Sequence, residues 1–422
     1  MIKLINPPQT NSLDDKLDPP LGLMYMASIL EENNYPVEII DLAFVAHNKW
    51  RKTIGNPDIV GITVMSASLH EAKKILRLIK RNSPQTIVVA GGPHPSCLPY
   101  ETLKEGFDAV IAGEGEYSFL KLVKEIYQGI FDKITISPQV DVNKLPFPAR
   151  HLVNLKAYTR KVAGVPATSL ITSRGCPYSC AFCDKAVHGN GVRFRSISSV
   201  LEEIAQIIED YDIRGLKFDD DTFTINRKRL YLLLDRLQDF NIQFRCQGNA
   251  RTDTYEDFVK LYKAGCRLII LGIESGSQQV LDRINKQVTV EQNRRAIINA
   301  KKAGLIVRAN LMIGNPGESW ETVKETLAFM WQAQPQQWIL SNFIPLPGCP
   351  IWKDPSKYGI EILEKDWKQY FTVANQNIGG LTHRTEYMSM KEIAKARQYL
   401  IENLPSQTGP KEDYYEVLEA KR

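Results

Sequence analysis

Thr168-Ser169-Leu170-Ile171-Thr172-Ser173-Arg174-Gly175-Cys176-Pro177-Tyr178-Ser179-Cys180-Ala181-Phe182-Cys183 decides how this chain is read. An apolar, β-branched run predicts a strand over Thr168 to Thr172. Arg174-Gly175 opens a loop, and three of the chain's seven cysteines then fall within eight residues. An odd cysteine count with this crowding fits a metal site in a reducing compartment better than a disulfide framework. Three thiolates at this spacing can ligate three irons of a cubane cluster and leave the fourth open for chemistry. Zinc is the alternative, but a closed structural zinc site wants four ligands, usually as two separated pairs, so His188 would have to be recruited.

Downstream of the cysteines, strand and helix patterns alternate. Further strands are expected at Leu216 to Asp219, Phe244 to Gln247, Leu268 to Gly272, Val307 to Met312 and Trp338 to Asn342. Capping-box signatures at Ser199 with Glu202 and at Thr289 with Gln292 mark helix starts between them. Six such units predict a partial (β/α)6 barrel of the TIM type, with its site at the carboxyl ends of the strands. Asp219-Asp220-Asp221 ends the second strand, either as active-rim carboxylates or as a solvated turn before a helix. Arg251 ends the third strand and is a candidate partner for a ligand carboxylate. Cys246 and Cys266 lie in apolar settings and are expected to be buried thiols, and Cys349 is not expected to react.

Upstream, short β-branched runs at Lys3 to Asn6, Val37 to Asp41, Ile59 to Val64, Ile87 to Ala90 and Ala109 to Ala112 alternate with helical patterns at Leu21 to Asn33, Leu69 to Arg81 and Glu116 to Tyr127. This predicts a doubly wound, Rossmann-like parallel sheet. Ligands of such sheets bind beyond the carboxyl ends of the strands, which here carry Ser66, Gly91, Gly92, His94, Gly113 and Glu114. The expected division is an α/β domain over 1–137, a proline-bearing linker over 138–165, the barrel over 166–350, and an extension over 351–422 with a helix from Lys391 to Asn403.

With 43% hydrophobic and 24% charged residues and a diffuse net charge of +5, the chain has an ordinary globular composition. The charge points to neither nucleic acid nor membrane. The longest apolar runs are too short to span a bilayer and the start lacks a secretory core, so a cytoplasmic protein is expected.

Cys-x-x-x-Cys-x-x-Cys with an aromatic before the last Cys resembles the signature of the radical S-adenosylmethionine superfamily. That resemblance implies a [4Fe-4S] cluster on Cys176, Cys180 and Cys183. It also implies S-adenosylmethionine chelated by the open iron and cleaved to a 5′-deoxyadenosyl radical. Phe182 would lie beside the adenine, and Gly272-Ile273-Glu274-Ser275-Gly276 would offer Glu274 and Ser275 to the ribose and amino-acid end. Asp220 and Arg251 complete the expected cofactor rim. Gly314-Asn315-Pro316-Gly317-Glu318 and Pro345-Leu346-Pro347-Gly348 resemble later strand-end loops of the family.

The first domain resembles the cobalamin-binding domain of cobalamin-dependent radical enzymes. The matching stretches include Pro19-Pro20-Leu21-Gly22-Leu23, Ala90-Gly91-Gly92-Pro93-His94 and Gly113-Glu114-Gly115-Glu116. Small residues there would let backbone approach the corrin and its tail. The Asp-x-His-x-x-Gly pattern that supplies an imidazole to cobalt is missing, which implies cobalamin bound without a histidine ligand or a domain that has lost it. His94 is then a tail contact or a loop histidine.

The resemblance implies methyl transfer to an unactivated carbon or phosphorus of a small molecule, with a reducing donor such as flavodoxin or ferredoxin. Radical cyclisation, ring rearrangement or oxidation is the rival within the family. A non-catalytic iron-sulfur or zinc protein is the rival of another class. A role on tRNA is disfavoured, because the extension mixes Glu361, Glu364 and Asp366 with its lysines. Its aromatic residues, among them Trp352, Trp367 and Tyr370, are expected to close over the substrate.

Overall fold

The computed structural model describes residues 1–10, 14–371 and 380–408. Two compact units divide the chain. The first holds residues 1–159 with 185–189 and 366–368, and the second holds 160–184, 190–365 and the remainder.

In the first unit six parallel strands, β1 (Ile2–Asn6), β2 (Val37–Asp41), β3 (Ile59–Thr63), β4 (Ile87–Gly91), β5 (Ala109–Ala112) and β6 (Ile134–Ile136), pair in the order 2-1-3-4-5-6. That order reverses direction between β1 and β3, and in doubly wound sheets the crevice at this point is where ligands bind. The central strands are buried on both faces because helices cover both, so they read as continuous apolar runs. The helix Leu69–Asn82 shows why such patterns fold this way. Leu69, Ala72, Ile75, Leu76 and Ile79 recur at three- and four-residue spacing and are the apolar residues it buries. Strand β6 was not anticipated, because Ile134–Ile136 is short and partly exposed at the sheet edge. Residues 138–159 pack with this unit.

In the second unit a hairpin pairs β7 (Lys161–Val162) antiparallel to β8 (Val165–Leu170). From β8 the parallel strands β11 (Gly215–Phe218), β12 (Gln243–Gln247), β13 (Cys266–Glu274), β14 (Ile306–Ile313) and β15 (Gln337–Asn342) follow in chain order. This is the six-stranded partial (β/α) barrel. Two small strands, β9 (Ser173–Arg174) and β10 (Arg193–Phe194), pair antiparallel and close the base of the cysteine loop. The capping box of Thr289 with Gln292 forms, but the earlier helix begins at Ile197 with Ser196 as its cap, not Ser199. Arg195 explains the earlier start. Its guanidinium lies in a buried ion pair with Glu203 and donates to Ile171 O and Ser199 O, which ties the first turn to the sheet.

The extension is more than a helix. Strands β16 (Ile360–Ile362) and β17 (His383–Thr385) pair antiparallel before the helix Met390–Asn403. Among the described residues no helix is long and apolar enough to cross a membrane.

Candidate functional site

Two of the three carboxylates at the end of β11 fasten the start of the cysteine loop. Asp219 pairs with Lys217 at 2.8 Å. Asp220, fully buried, accepts from Thr172 N at 2.7 Å, Thr172 Oγ1 at 2.6 Å and Ser173 Oγ at 2.5 Å. Asp221 accepts from Gly175 N at 3.0 Å, one residue before Cys176. Burial raises the Asp220 pKa against the hydrogen bonds from Ser173 and Thr172 that lower it. The described geometry therefore occupies Asp220 with the end of the first barrel strand. Asp220→Ala strands three buried donors, and a loss of about 2–4 kcal/mol of unfolding free energy is expected in denaturant titration. Asp220→Asn, which keeps an acceptor, should lose less.

Beyond Gly175 the loop is clamped from three sides. Ala181 N donates to Ile284 O at 2.8 Å, and Ile351 N donates to Ala181 O at 3.2 Å. Asn285 Nδ2 donates to the carbonyl and hydroxyl of Ser179 at 2.8 and 3.0 Å, and Gln287 Nε2 reaches the same hydroxyl at 3.2 Å. Asn249 Nδ2 donates to Tyr178 Oη at 2.5 Å, and Arg251 lies over the Tyr178 ring at 5.4 Å while donating to Gln287 Oε1 at 2.9 Å. Phe182 packs against the buried cluster of Leu281, Ile284 and Val288. Cys176, Cys180 and Cys183 are each partly exposed on this fastened loop. Among the described residues no three His, Cys, Asp or Glu side chains converge where a single ion would sit. The thiols of a cubane serve three different irons, so that geometry is not required of them.

Glu274 ends β13 with φ +63° beside a register slip against β14, and its carboxylate pairs with Lys286 Nζ at 2.7 Å. Ser275, fully buried, shares a hydrogen bond with Thr326 Oγ1 at 3.1 Å and accepts from Ser277 N at 3.1 Å, so it fixes the turn after Glu274. In the next loop Glu318 accepts from Gly314 N, Asn315 N and Asn315 Nδ2 at 2.9 to 3.1 Å. Burial outweighs these bonds and pushes its carboxyl up to about 7. A folded-state pKa above the unfolded value means the native state binds the extra proton, so this group's contribution to stability falls as pH rises from about 4.5 to about 7. The expected fall is on the order of 3 kcal/mol. Glu318→Gln should flatten that part of the pH–stability curve measured by thermal unfolding. His383 and Thr385 of the extension brace this loop, at Gly314 O (2.7 Å) and Glu318 O (3.3 Å).

Cys246 and Cys266 are buried neighbours with sulfurs 4.0 Å apart, and Cys349 is buried with its thiol pushed up to about 11 by burial. None has the exposure of a reactive thiol.

In the first unit Ser66, Gly91, Gly92, His94 and Gly113 gather at the strand ends. Val64 N donates to Gly91 O at 2.8 Å and His94 N to Val64 O at 3.1 Å, stitching the ends of β3 and β4. Gly92 and Gly113 have φ of +101° and +100°, and a Cβ at either would press on Thr63 and Val64 or on Ser137 O. His94 is buried, its Nδ1 lies 3.0 Å from Ser66 Oγ, and its Nε2 has no hydrogen-bond partner among the described residues. Burial lowers its pKa to about 4, so the imidazole is neutral. Leu21 faces the core while Gly22 is exposed with nothing near it. Glu114 is committed, accepting from Val140 N at 2.6 Å and lying 3.0 Å from His188 Nδ1. That places His188, the candidate fourth zinc ligand, with the first unit. Gly115 precedes the helix that Glu116 opens, and Glu116 is buried.

Residues 170–330 match the model of the radical SAM superfamily, and residues 17–123 match that of the B12 binding domain. An uncharacterized methyltransferase of Pyrococcus horikoshii, PH0819, is 31% identical over 94% of this chain and 91% of its own length. The chain is a radical SAM enzyme with a B12-binding domain. The anaerobic magnesium-protoporphyrin IX monomethyl ester cyclase of Rubrivivax gelatinosus is 28% identical over 80% of this radical SAM chain and 66% of the cyclase. The radical SAM methyltransferase TsrM of Kitasatospora setae, solved with cobalamin and a [4Fe-4S] cluster bound, shares the fold. Its TM-score is 0.71 at 18% identity, over 86% of this chain and 81% of TsrM.

Sequence reasoning missed Lys286 and the turn around it. Nothing in Ile284-Asn285-Lys286-Gln287 signals a site by residue type; only the approach of this turn to the cysteine loop does.

Proposed function

We propose that this radical SAM enzyme transfers a methyl group to an unactivated carbon or phosphorus of a small-molecule substrate. Cys176, Cys180 and Cys183 would hold the [4Fe-4S] cluster. S-adenosylmethionine would lie along the barrel rim at Phe182, Glu274 and Arg251, with Ser275 and Asp220 fixing the adjoining backbone. Cobalamin would lie at the strand ends of the first unit, among Leu21, Gly22, Ser66, Gly91, Gly92, His94 and Gly113 to Glu116. Bound there, the cluster and S-adenosylmethionine supply a hydrogen-abstracting radical, and cobalamin carries the methyl group.

The orphaned His94 Nε2, buried at the strand ends that carry the left-handed Gly92 and Gly113, carries the cobalamin part of this reading. A neutral imidazole with an unmet hydrogen bond fits a polar tail that brings its own partner. The chain's own contribution is placement. Asp221, Asn285 and Asn249 hold the cysteine loop, Glu274 presents a carboxylate to hydroxyl or ammonium groups, and the apolar surround of Phe182 keeps water from the adenine edge. A reducing donor of the flavodoxin or ferredoxin class and a cytoplasmic setting belong to the same proposal, since three thiolates need a reducing compartment.

The test is product stoichiometry in anaerobic, reduced enzyme supplied with methyl-labelled S-adenosylmethionine and a small-molecule extract of the source cells. Methyl transfer predicts 5′-deoxyadenosine and S-adenosylhomocysteine in about equal amounts and label in one product. Cyclisation or oxidation, the second reading that the cyclase relative supports, would give 5′-deoxyadenosine without S-adenosylhomocysteine and would overturn the methylation reading.

A further inference from the structure

The turn after the helix Gln278–Arg283 brings one cation to the cysteine loop. Lys286 Nζ pairs with Glu274 Oε1 at 2.7 Å and lies 5.5 Å from the centre of the Phe182 ring, with its side chain only 20% exposed. The backbone is bent to achieve this. Glu274, Asn285 and Gln287 all adopt left-handed φ, at +63°, +51° and +56°, a conformation that costs roughly 1–3 kcal/mol for each such residue. A Cβ at Gly272 would collide with the Glu274 carboxylate and come within 2.8 Å of Lys286 Nζ, so glycine leaves room for the pair. The Glu274 carboxylate at 2.7 Å favours the charged amine against the cost of burial.

We propose that Lys286 is the counter-charge of the cluster loop: aimed by Glu274, its ammonium stabilises the negative charge that a cluster on Cys180 and Cys183 gains on reduction, and so raises the cluster's reduction potential. This rests on reading the three cysteines as cluster ligands. The physical basis is that net charge and nearby dipoles set the potential of a buried iron-sulfur centre, and that a fixed cation acts strongly where water is scarce. Lys286 thus acts on the cluster itself, and its effect precedes any substrate.

The experiment is an electron-paramagnetic-resonance titration of the reconstituted cluster in wild type, Lys286→Gln, Lys286→Arg and Glu274→Gln, against dithionite and without S-adenosylmethionine. Lys286→Gln should lower the reduced fraction at fixed potential about tenfold, equivalent to about 59 mV for one electron. Glu274→Gln, which leaves the amine uncompensated, should shift it the opposite way, and Lys286→Arg should stay near wild type. Opposite signs identify charge. A merely structural pair would move both variants in one direction or neither, and either result overturns the inference. If Lys286→Gln takes up no iron, Glu274→Gln decides: an upward shift supports the counter-charge, and its absence overturns it. A wild-type protein that takes up no iron and sulfide overturns the cluster reading, and this inference with it. Clustered wild type with unshifted variants overturns the inference alone.

Discussion

Cys176→Ala, Cys180→Ala and Cys183→Ala should each lose the cluster and, with it, cleavage of S-adenosylmethionine. Removing an outer partner of a metal ligand costs about 10–100-fold, and removing a ligand itself should exceed that. Each cysteine belongs to a loop whose backbone is already fixed by Asp221 at Gly175, by Ile284 and Ile351 at Ala181, and by Asn285 at Ser179. The variants should therefore fold, with an unchanged far-ultraviolet dichroism spectrum and no cluster absorption after reconstitution. Cys246→Ala and Cys349→Ala are the controls. Both delete buried thiols from packed surroundings, so they should cost stability while iron content stays at the wild-type level. Iron retained in a Cys180→Ala variant at wild-type stoichiometry would contradict the assignment of that residue.

The second large effect lies in the other unit. Gly92→Val should abolish corrin binding and leave the cluster intact. Its Cβ would stand 3.0 Å from Thr63 Oγ1, 3.1 Å from Val64 N and 3.2 Å from Val64 O, at a φ of +101° that a β-branched residue resists. Relief requires the backbone bonds joining Val64, Gly91 and His94 to break, and those bonds place the neutral imidazole. Strain of about 1–3 kcal/mol alone weakens binding by roughly five- to 150-fold, before the loss of the rim's shape is counted. Gly191→Ala, outside the proposed corrin site, is the control, since no atom lies within 4 Å of the added Cβ. The readout is cobalt per chain and the corrin absorption spectrum. Equal corrin in Gly92→Val and wild type would remove this rim from the proposed site.

Much of this was legible in the sequence because it depends on local pattern. The runs Val37–Asp41 and Ala109–Ala112 and the helix Glu116–Tyr127 form where alternation placed them. The Thr289 capping box likewise needs only four residues to specify it. Strand β13 extends to Glu274, beyond the expected Gly272, because the register slip lets the chain keep pairing with β14 past an irregular residue. The pairing of β16 with β17 escaped notice because each strand has only three residues and no marked alternation.

Within the site, the cysteine spacing is a local pattern, whereas the tasks of the surrounding polar residues depend on distances across the fold. Asp219, Asp220 and Asp221 look alike in sequence, yet one pairs with Lys217, one with Thr172 and Ser173, and one with Gly175. Lys286 is one of many lysines until the turn that carries it is set against Glu274 and Phe182.

The measurement that tests the account most directly is the cofactor content of protein isolated without oxygen from cells supplied with cobalamin, reconstituted and desalted. The account predicts about four irons and four sulfides with about one cobalt per chain, the cobalt in a corrin spectrum. Zinc in place of iron, or a full complement of iron with no corrin, would contradict it.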